Sequence, residues 1–128
     1  MRPLGDLESQ VMQRIWARSE AVTVRDIVGD LERDRPIAYT TVMTVMDNLH
    51  KKGWLRRRAH GRAYRYEPTI SGAEYSAGLM RQALATAADR TAALTHFLGE
   101  LSADEADALD EVYRRHARRN GPIGGAGE

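Results

Sequence analysis

Apolar residues recur at helical spacing in three successive segments of the first half of the chain. The first segment predicts a helix with Asp6 as its N-cap, and the second a helix that begins at Thr23, which forms a capping-box pattern with Asp26. The third segment predicts a helix over about residues 38–52. The predicted buried positions are Leu7, Val11, Met12, Ile15 and Trp16, then Val24, Ile27, Val28 and Leu31, then Val42, Val45, Met46 and Leu49.

The pattern changes to short strands directly after the third helix. Gly53 stands where a left-handed residue commonly ends a helix. Residues 54–58 and 63–67 predict two strands joined by a turn that contains glycine. Tyr64 and Tyr66 share one face of the second strand, and we expect both to belong to the core.

The second half of the chain predicts helices only. Ser71 and Ser102 each begin a capping-box pattern with a glutamate three residues later. The helices that follow are predicted to run to about residues 88 and 119, with a short helix over residues 91–100 between them.

The order of helix, helix, helix and hairpin is typical of a winged helix-turn-helix, in which residues 21–22 would add a short first strand. The predicted fold is therefore mainly α with a small β-hairpin wing. We predict a winged-helix DNA-binding domain over residues 1–70, a C-terminal helical dimerisation region over residues 71–119 and a flexible tail over residues 120–128.

Charge is divided unevenly along a chain whose composition is that of a globular protein. Residues 1–72 hold 13 Lys and Arg against 9 Asp and Glu, and residues 73–128 hold 6 against 9, so net charges of +4 and −3 add to +1. Between Lys51 and Tyr66 there are seven Lys or Arg and no acid. This asymmetry indicates that only the front half meets a polyanion. The chain has no cysteine, and it shows no secretory signal or long apolar run, so a cytoplasmic protein without direct membrane binding is expected.

The third helix and the hairpin together predict a DNA-binding surface, because a major groove admits one helix presented by its neighbours. The face opposite the buried stripe carries small polar side chains that could approach base edges, and the hairpin carries cations that could contact phosphates. The predicted DNA-binding residues are Tyr39, Thr40, Thr41, Thr44, Lys51, Lys52, Arg56, Arg58, Arg62 and Arg65.

Two residues of this surface have a competing interpretation. Thr40, taken alone, is better explained as a helix cap than as a base reader. Asp47 on the exposed face argues against a phosphate close by, although its carboxylate could accept from a cytosine amine.

No pattern in the chain predicts catalysis, a metal site or a cofactor. The four histidines, His50, His60, His96 and His116, are scattered without metal-ligand spacing. The only glycine-rich stretch is the C-terminal tail. An enzyme is therefore not expected.

The rear helices carry more apolar residues than the front unit could cover, which indicates a partner. Two-fold DNA readers need a dimer, so homodimerisation through these helices is predicted; the alternative is a monomer whose rear helices fold back on the winged helix. The predicted dimerisation residues are Tyr75, Leu79, Leu84, Leu94, Phe97, Leu98, Leu109, Val112 and Tyr113.

Several of these motifs together resemble the penicillinase repressor family (BlaI/MecI type), in particular its actinobacterial members. They are Leu4-Gly5-Asp6-Leu7-Glu8 with Val11-Met12, Thr40-Thr41-Val42 with Thr44, Leu49 with Lys51-Lys52-Gly53, and Gly61-Arg62-Ala63-Tyr64 with Tyr66 and Pro68. The resemblance covers about residues 4–115. It implies a winged-helix dimer that represses transcription at a palindromic operator of the TACA/TGTA type.

The resemblance also implies a mode of regulation. In that family a membrane sensor-protease, triggered by β-lactam, leads to cleavage of an Asn-Phe bond before the last helix. The matching pair here is His96-Phe97, and Thr40 stands where the family often has lysine.

Two other functional classes remain open at this point. A winged helix can serve only for protein–protein contact, or it can belong to a small-molecule-responsive regulator, which would need an apolar pocket between the winged helix and the dimer helices. Salt-dependent retention on duplex DNA separates the first of these from a DNA reader.

Overall fold

A computed structural model describes residues 4–123. Of the predicted tail over residues 120–128, Asn120 is the last residue of a helix, and residues 124–128 lie outside the described range. The chain divides into two compact units, one up to Arg81 and one from Gln82 onward. The elements are α1 (Asp6–Ala17), α2 (Val24–Glu32), α3 (Tyr39–Lys51), β1 (Leu55–His60), β2 (Ala63–Pro68), α4 (Gly72–Thr86), α5 (Arg90–Glu100) and α6 (Ala103–Asn120).

The core of the first unit lies where α1, α2 and α3 meet one another and the hairpin. Each helix contributes one stripe of side chains at helical spacing, as their periodicity predicts. Leu55 and Tyr66 add the inner face of the hairpin, and both are at most 3% exposed. The buried set is Val11, Met12, Ile15, Val22, Val24, Ile27, Val28, Leu31, Val42, Met46, Leu49, Leu55 and Tyr66.

Local capping patterns begin the helices where the sequence predicts them, with one correction. The Asp26 amide donates to the Thr23 hydroxyl over 3.1 Å, and the Thr23 amide donates to the Asp26 carboxylate over 2.9 Å. The predicted boxes at Ser71 and Ser102 form in the same way. The N-cap of α1 is Gly5, not Asp6. The Gly5 amide donates to the Glu8 carboxylate over 3.1 Å, so the helix begins one residue earlier than predicted.

The end of α3 is closed by backbone geometry at a glycine. Gly53 has a φ of +88°, a conformation that side-chain-bearing residues rarely adopt. Its amide donates to the His50 carbonyl, and the Trp54 amide donates to the Leu49 carbonyl over 2.9 Å. This pair of bonds is the Schellman arrangement, and it directs the chain into the hairpin.

The hairpin is an antiparallel pair whose register places Arg57 opposite Tyr66. Its turn is tighter than predicted, since β1 continues to His60 and β2 begins at Ala63. The predicted short strand forms as a bridge, in which Val22 and Tyr66 exchange two backbone hydrogen bonds of 2.8 and 2.7 Å.

The beginning of α4 belongs to the first unit, which extends past the predicted boundary at residue 70. Tyr75 is 6% exposed, and its ring centroid lies 5.4 Å from that of Trp16 and 5.3 Å from that of Trp54. Its hydroxyl accepts from the Leu4 amide over 2.9 Å. The assignment of Tyr75 to the dimer surface is therefore wrong, because its ring is buried within the first unit against Trp16 and Trp54.

The helices of the second unit, unlike those of the first, do not form a buried core. Neither α5 nor α6 contains a buried residue within the described chain. Within residues 4–123, no helix combines the length and the apolar content that crossing a lipid bilayer requires.

Candidate nucleic-acid interface

The outer face of α3 is built from the threonines that its periodicity predicts. Val42 and Met46 point into the core with no exposure. Thr40, Thr41 and Thr44 are all exposed on the remaining surface of the helix. Their hydroxyl and methyl groups are small enough for the helix backbone to approach base edges closely.

The capping interpretation of Thr40 is wrong. The N-cap of α3 is Ala38, and no side chain caps this end of the helix. Thr40 is therefore the second residue inside the helix, at the end that a helix-turn-helix points toward bases. Tyr39 precedes it with 43% of its surface exposed.

Three predicted arginines of the hairpin form no ion pair with any residue in the range 4–123: Arg58, Arg62 and Arg65. All three are exposed. Arg58 and Arg65 lie directly opposite each other in the strand register. Like charges placed opposite each other destabilise a sheet, and a phosphate would relieve this repulsion. Arg62 follows Gly61 in the turn, at the tip of the hairpin.

The other three predicted cations are paired with acids of the first unit. Lys51 lies 3.0 Å from Asp47, Lys52 lies 2.8 Å from Glu8 and Arg56 lies 3.3 Å from Glu67. The hydrogen bond from Lys52, followed by that from the Gly5 amide, lowers the pKa of Glu8 below its ordinary value. Exposed pairs of this kind are weak, so the cations can exchange a carboxylate for a phosphate.

Asp47 is also held by the hairpin, through a residue that the sequence did not single out. The Arg57 guanidinium donates to the Asp47 carboxylate over 2.9 Å and lies 4.1 Å from the ring centroid of Tyr64. Hydrogen bonds from Lys51 and then Arg57 lower the pKa of Asp47. Tyr64 is 46% exposed, so its expected place in the core is wrong, whereas Tyr66 is buried as predicted.

Arg25 is a further cation that the sequence reasoning missed. It is the second residue of α2, it is exposed, and its guanidinium carbon lies 5.6 Å from the ring centroid of Tyr39. It forms no ion pair with a residue that the structure describes. Its place beside the Thr23 cap, at the start of the first helix of a helix-turn-helix, could have identified it.

The predicted dimerisation residues other than Tyr75 lie on α4, α5 and α6. Leu79 and Leu84 are half-buried. The others are between 43% and 59% exposed: Leu94, Phe97, Leu98, Leu109, Val112 and Tyr113. Leu98 lines an open apolar groove between α5 and α6 with Leu101, Ala106, Leu109, Asp110 and Tyr113.

No group of His, Asp and Glu side chains within residues 4–123 could hold a metal ion. His96 and Phe97, the predicted cleavage pair, lie inside α5 and are exposed.

Comparison with known proteins gives a consistent result. The sequence pattern of the family described as penicillinase repressor matches residues 4–115. The transcriptional regulator BlaI of Mycobacterium tuberculosis is 46% identical, over 98% of this chain and 95% of that protein. The penicillinase repressor of Bacillus licheniformis is 26% identical, over 91% of this chain and 93% of that protein. The solution structure of the DNA-binding domain of the repressor BlaI covers 56% of this chain and 87% of its own, with 29% identity and a TM-score of 0.50.

Proposed function

The chain belongs to the penicillinase repressor family, and from that premise we propose that it is a transcriptional repressor that binds a palindromic operator as a homodimer. The observation that carries DNA binding is the exposed threonine face of α3, followed at once by a hairpin in which three arginines have no acid partner among residues 4–123. A helix reads bases in this arrangement while the hairpin contacts the backbone.

Within this proposal the residues divide into two groups. Thr40, Thr41 and Thr44 read base edges in the major groove. Tyr39 and the cations fix the register through phosphates and release counterions, which makes the affinity depend on salt. The cations are Arg25, Lys51, Lys52, Arg56, Arg58, Arg62 and Arg65.

The second unit supports the homodimer. A segment with two helices and no buried residue cannot stabilise itself, because folding requires burial to offset the loss of chain entropy. A second copy of the chain would bury the exposed apolar side chains of α5 and α6, and it would also place two α3 helices on the two halves of a palindrome. The proposed contact residues are Leu79, Leu84, Leu94, Phe97, Leu98, Leu109, Val112 and Tyr113.

Relief of repression by a membrane sensor-protease acting in the cytoplasm is part of the proposal. The bond at issue is His96–Phe97. A protease must open α5 locally to reach it, and within a single chain no side chain of α5 is buried against the rest of the protein to oppose that opening.

The first prediction distinguishes phosphate contacts from base recognition. Arg62→Ala should weaken binding to every duplex and lower the salt slope by about one, because one phosphate contact is lost. Thr44→Ala should leave the slope unchanged and reduce discrimination between the best site and a mismatched site by about 1 kcal/mol. Sites selected from random duplex DNA supply the probes, and fluorescence anisotropy at several salt concentrations supplies the measurement.

The same titration tests the proposal as a whole. If the unmodified protein shows no salt-dependent retention on duplex DNA, the winged helix serves protein contacts instead. If it binds but neither substitution changes affinity or discrimination, α3 and the hairpin do not form the docking surface.

A second prediction concerns the cleavage pair. Cutting the chain between His96 and Phe97 should shift the protein from dimer to monomer, since the cut separates α6 from most of α5. An engineered protease site at this position allows the cut, and sedimentation velocity follows it. A cut protein that sediments as the intact one does would contradict the role of this segment in the dimer.

A further inference from the structure

Side-chain contacts join α3 to the hairpin, and among them the His50 Nδ1 atom lies 3.0 Å from the Leu55 carbonyl oxygen. Arg57, on β1, donates to Asp47 on α3 over 2.9 Å. Its guanidinium also lies over the ring of Tyr64, on β2, at 4.1 Å. A planar guanidinium held between a carboxylate and an aromatic face has a defined orientation. One arginine therefore ties together all three elements of the proposed DNA-binding surface.

Arg57 differs from the other hairpin arginines in its surroundings. Its side chain is 24% exposed, whereas that of Arg56 is 61% exposed. Arg58, Arg62 and Arg65 are exposed and lack an acid partner in the described chain. The surroundings of Arg57 are those of a structural cation, and theirs are those of a phosphate contact.

The bridge from Arg57 explains how a carboxylate, that of Asp47, is tolerated on the proposed DNA-binding face of α3. An unpaired carboxylate on the outer face of α3 would repel DNA. Here the carboxylate accepts from both Lys51 and Arg57, at 3.0 and 2.9 Å. Its charge is thus neutralised by two cations, one from its own helix and one from the hairpin.

We propose that Arg57 and Asp47 form a clamp that sets the hairpin against α3, so that Arg57 is a positioning residue and not a DNA contact. The proposal rests on the proposed DNA binding. The helix and the hairpin must engage the duplex at the same time, so a clamp that fixes their relative position lowers the cost of ordering on binding. It acts through Arg58, Arg62 and Arg65 of the hairpin and through the threonines of α3.

The direction in which Asp47→Asn changes DNA affinity distinguishes the clamp from a simple charge effect. If only charge mattered, removing a negative charge from a surface that faces a polyanion would make DNA binding tighter. The clamp predicts weaker binding to a selected site, by about tenfold, because the hairpin loses the Arg57 link to α3. Arg57→Gln should weaken binding by a similar factor and leave the salt slope unchanged. The double variant should bind no more weakly than the weaker of the two single variants, since both changes break the link between Arg57 and Asp47.

Asp34→Asn is the matched control. Asp34, in the turn after α2, forms an ion pair of 2.7 Å with Arg14 of α1 and contributes nothing to the link between Arg57 and Asp47, so its substitution should leave DNA affinity unchanged. Thermal unfolding of each variant checks that the fold is intact. Tighter binding by Asp47→Asn, a slope lowered by about one in Arg57→Gln, or additive losses in the double variant would each overturn the clamp. Loss of salt-dependent binding in the unmodified protein would instead remove the proposed function.

Discussion

Replacing Tyr75 with alanine is expected to lower the free energy of unfolding by about 3–5 kcal/mol, the range for deleting a buried aromatic side chain. The ring is 6% exposed and contacts two tryptophan rings, Trp16 on α1 and Trp54 ahead of β1. Without it, both indoles lose a packing partner and the beginning of α4 loses its ring contacts with Trp16 and Trp54.

Tyr75→Phe is the matched control. It keeps the ring and removes only the hydroxyl that accepts from the Leu4 amide, so it should cost about 1 kcal/mol. Urea unfolding followed by tryptophan fluorescence measures both variants. Protein concentration must be held fixed, because the stability of a dimer depends on it. An alanine variant no less stable than the phenylalanine variant would show that the aromatic cluster contributes little.

Features that depend on neighbouring residues could be predicted from the sequence. The capping boxes at Thr23, Ser71 and Ser102 and the glycine at Gly53 each act through bonds to residues within a few positions. The buried stripe of α3 likewise depends only on helical period. These local signals are enough to predict the order of helices and hairpin, and hence the winged helix.

Features that depend on distant contacts could not be predicted in this way. Tyr75 and Tyr64 are both tyrosines in amphipathic segments, and the sequence cannot show that one packs against two tryptophans while the other stacks on an arginine at the surface. Arg57 is indistinguishable by composition from Arg56 and Arg58. Only the strand register, which turns it toward α3, makes it a partner for Asp47.

Placing an acid in the α5–α6 groove should abolish the dimer. Leu98 is 56% exposed in the single chain and lines that groove. Leu98→Asp would bury an unpaired carboxylate against a second copy, at a cost of several kcal/mol. We expect a monomer by sedimentation velocity. Its affinity for a selected palindrome should fall about a hundredfold, because the second half-site is no longer bound intramolecularly.

Gly99→Asp supplies the matched control on the same helix. A side chain at Gly99 would meet nothing within 4 Å, and the position points away from the stripe of Leu94 and Leu98. Gly99→Asp adds one negative charge at the position next to Leu98, so an effect of charge alone would appear in both Leu98→Asp and Gly99→Asp. The dimer proposal requires that Leu98→Asp loses the palindrome while retaining half-site affinity, and that Gly99→Asp loses neither. An equal loss of palindrome affinity in both variants would indicate general electrostatic repulsion. If the unmodified protein is itself a monomer, the homodimer proposal is wrong, and the exposed leucines of α5 and α6 bind a different partner.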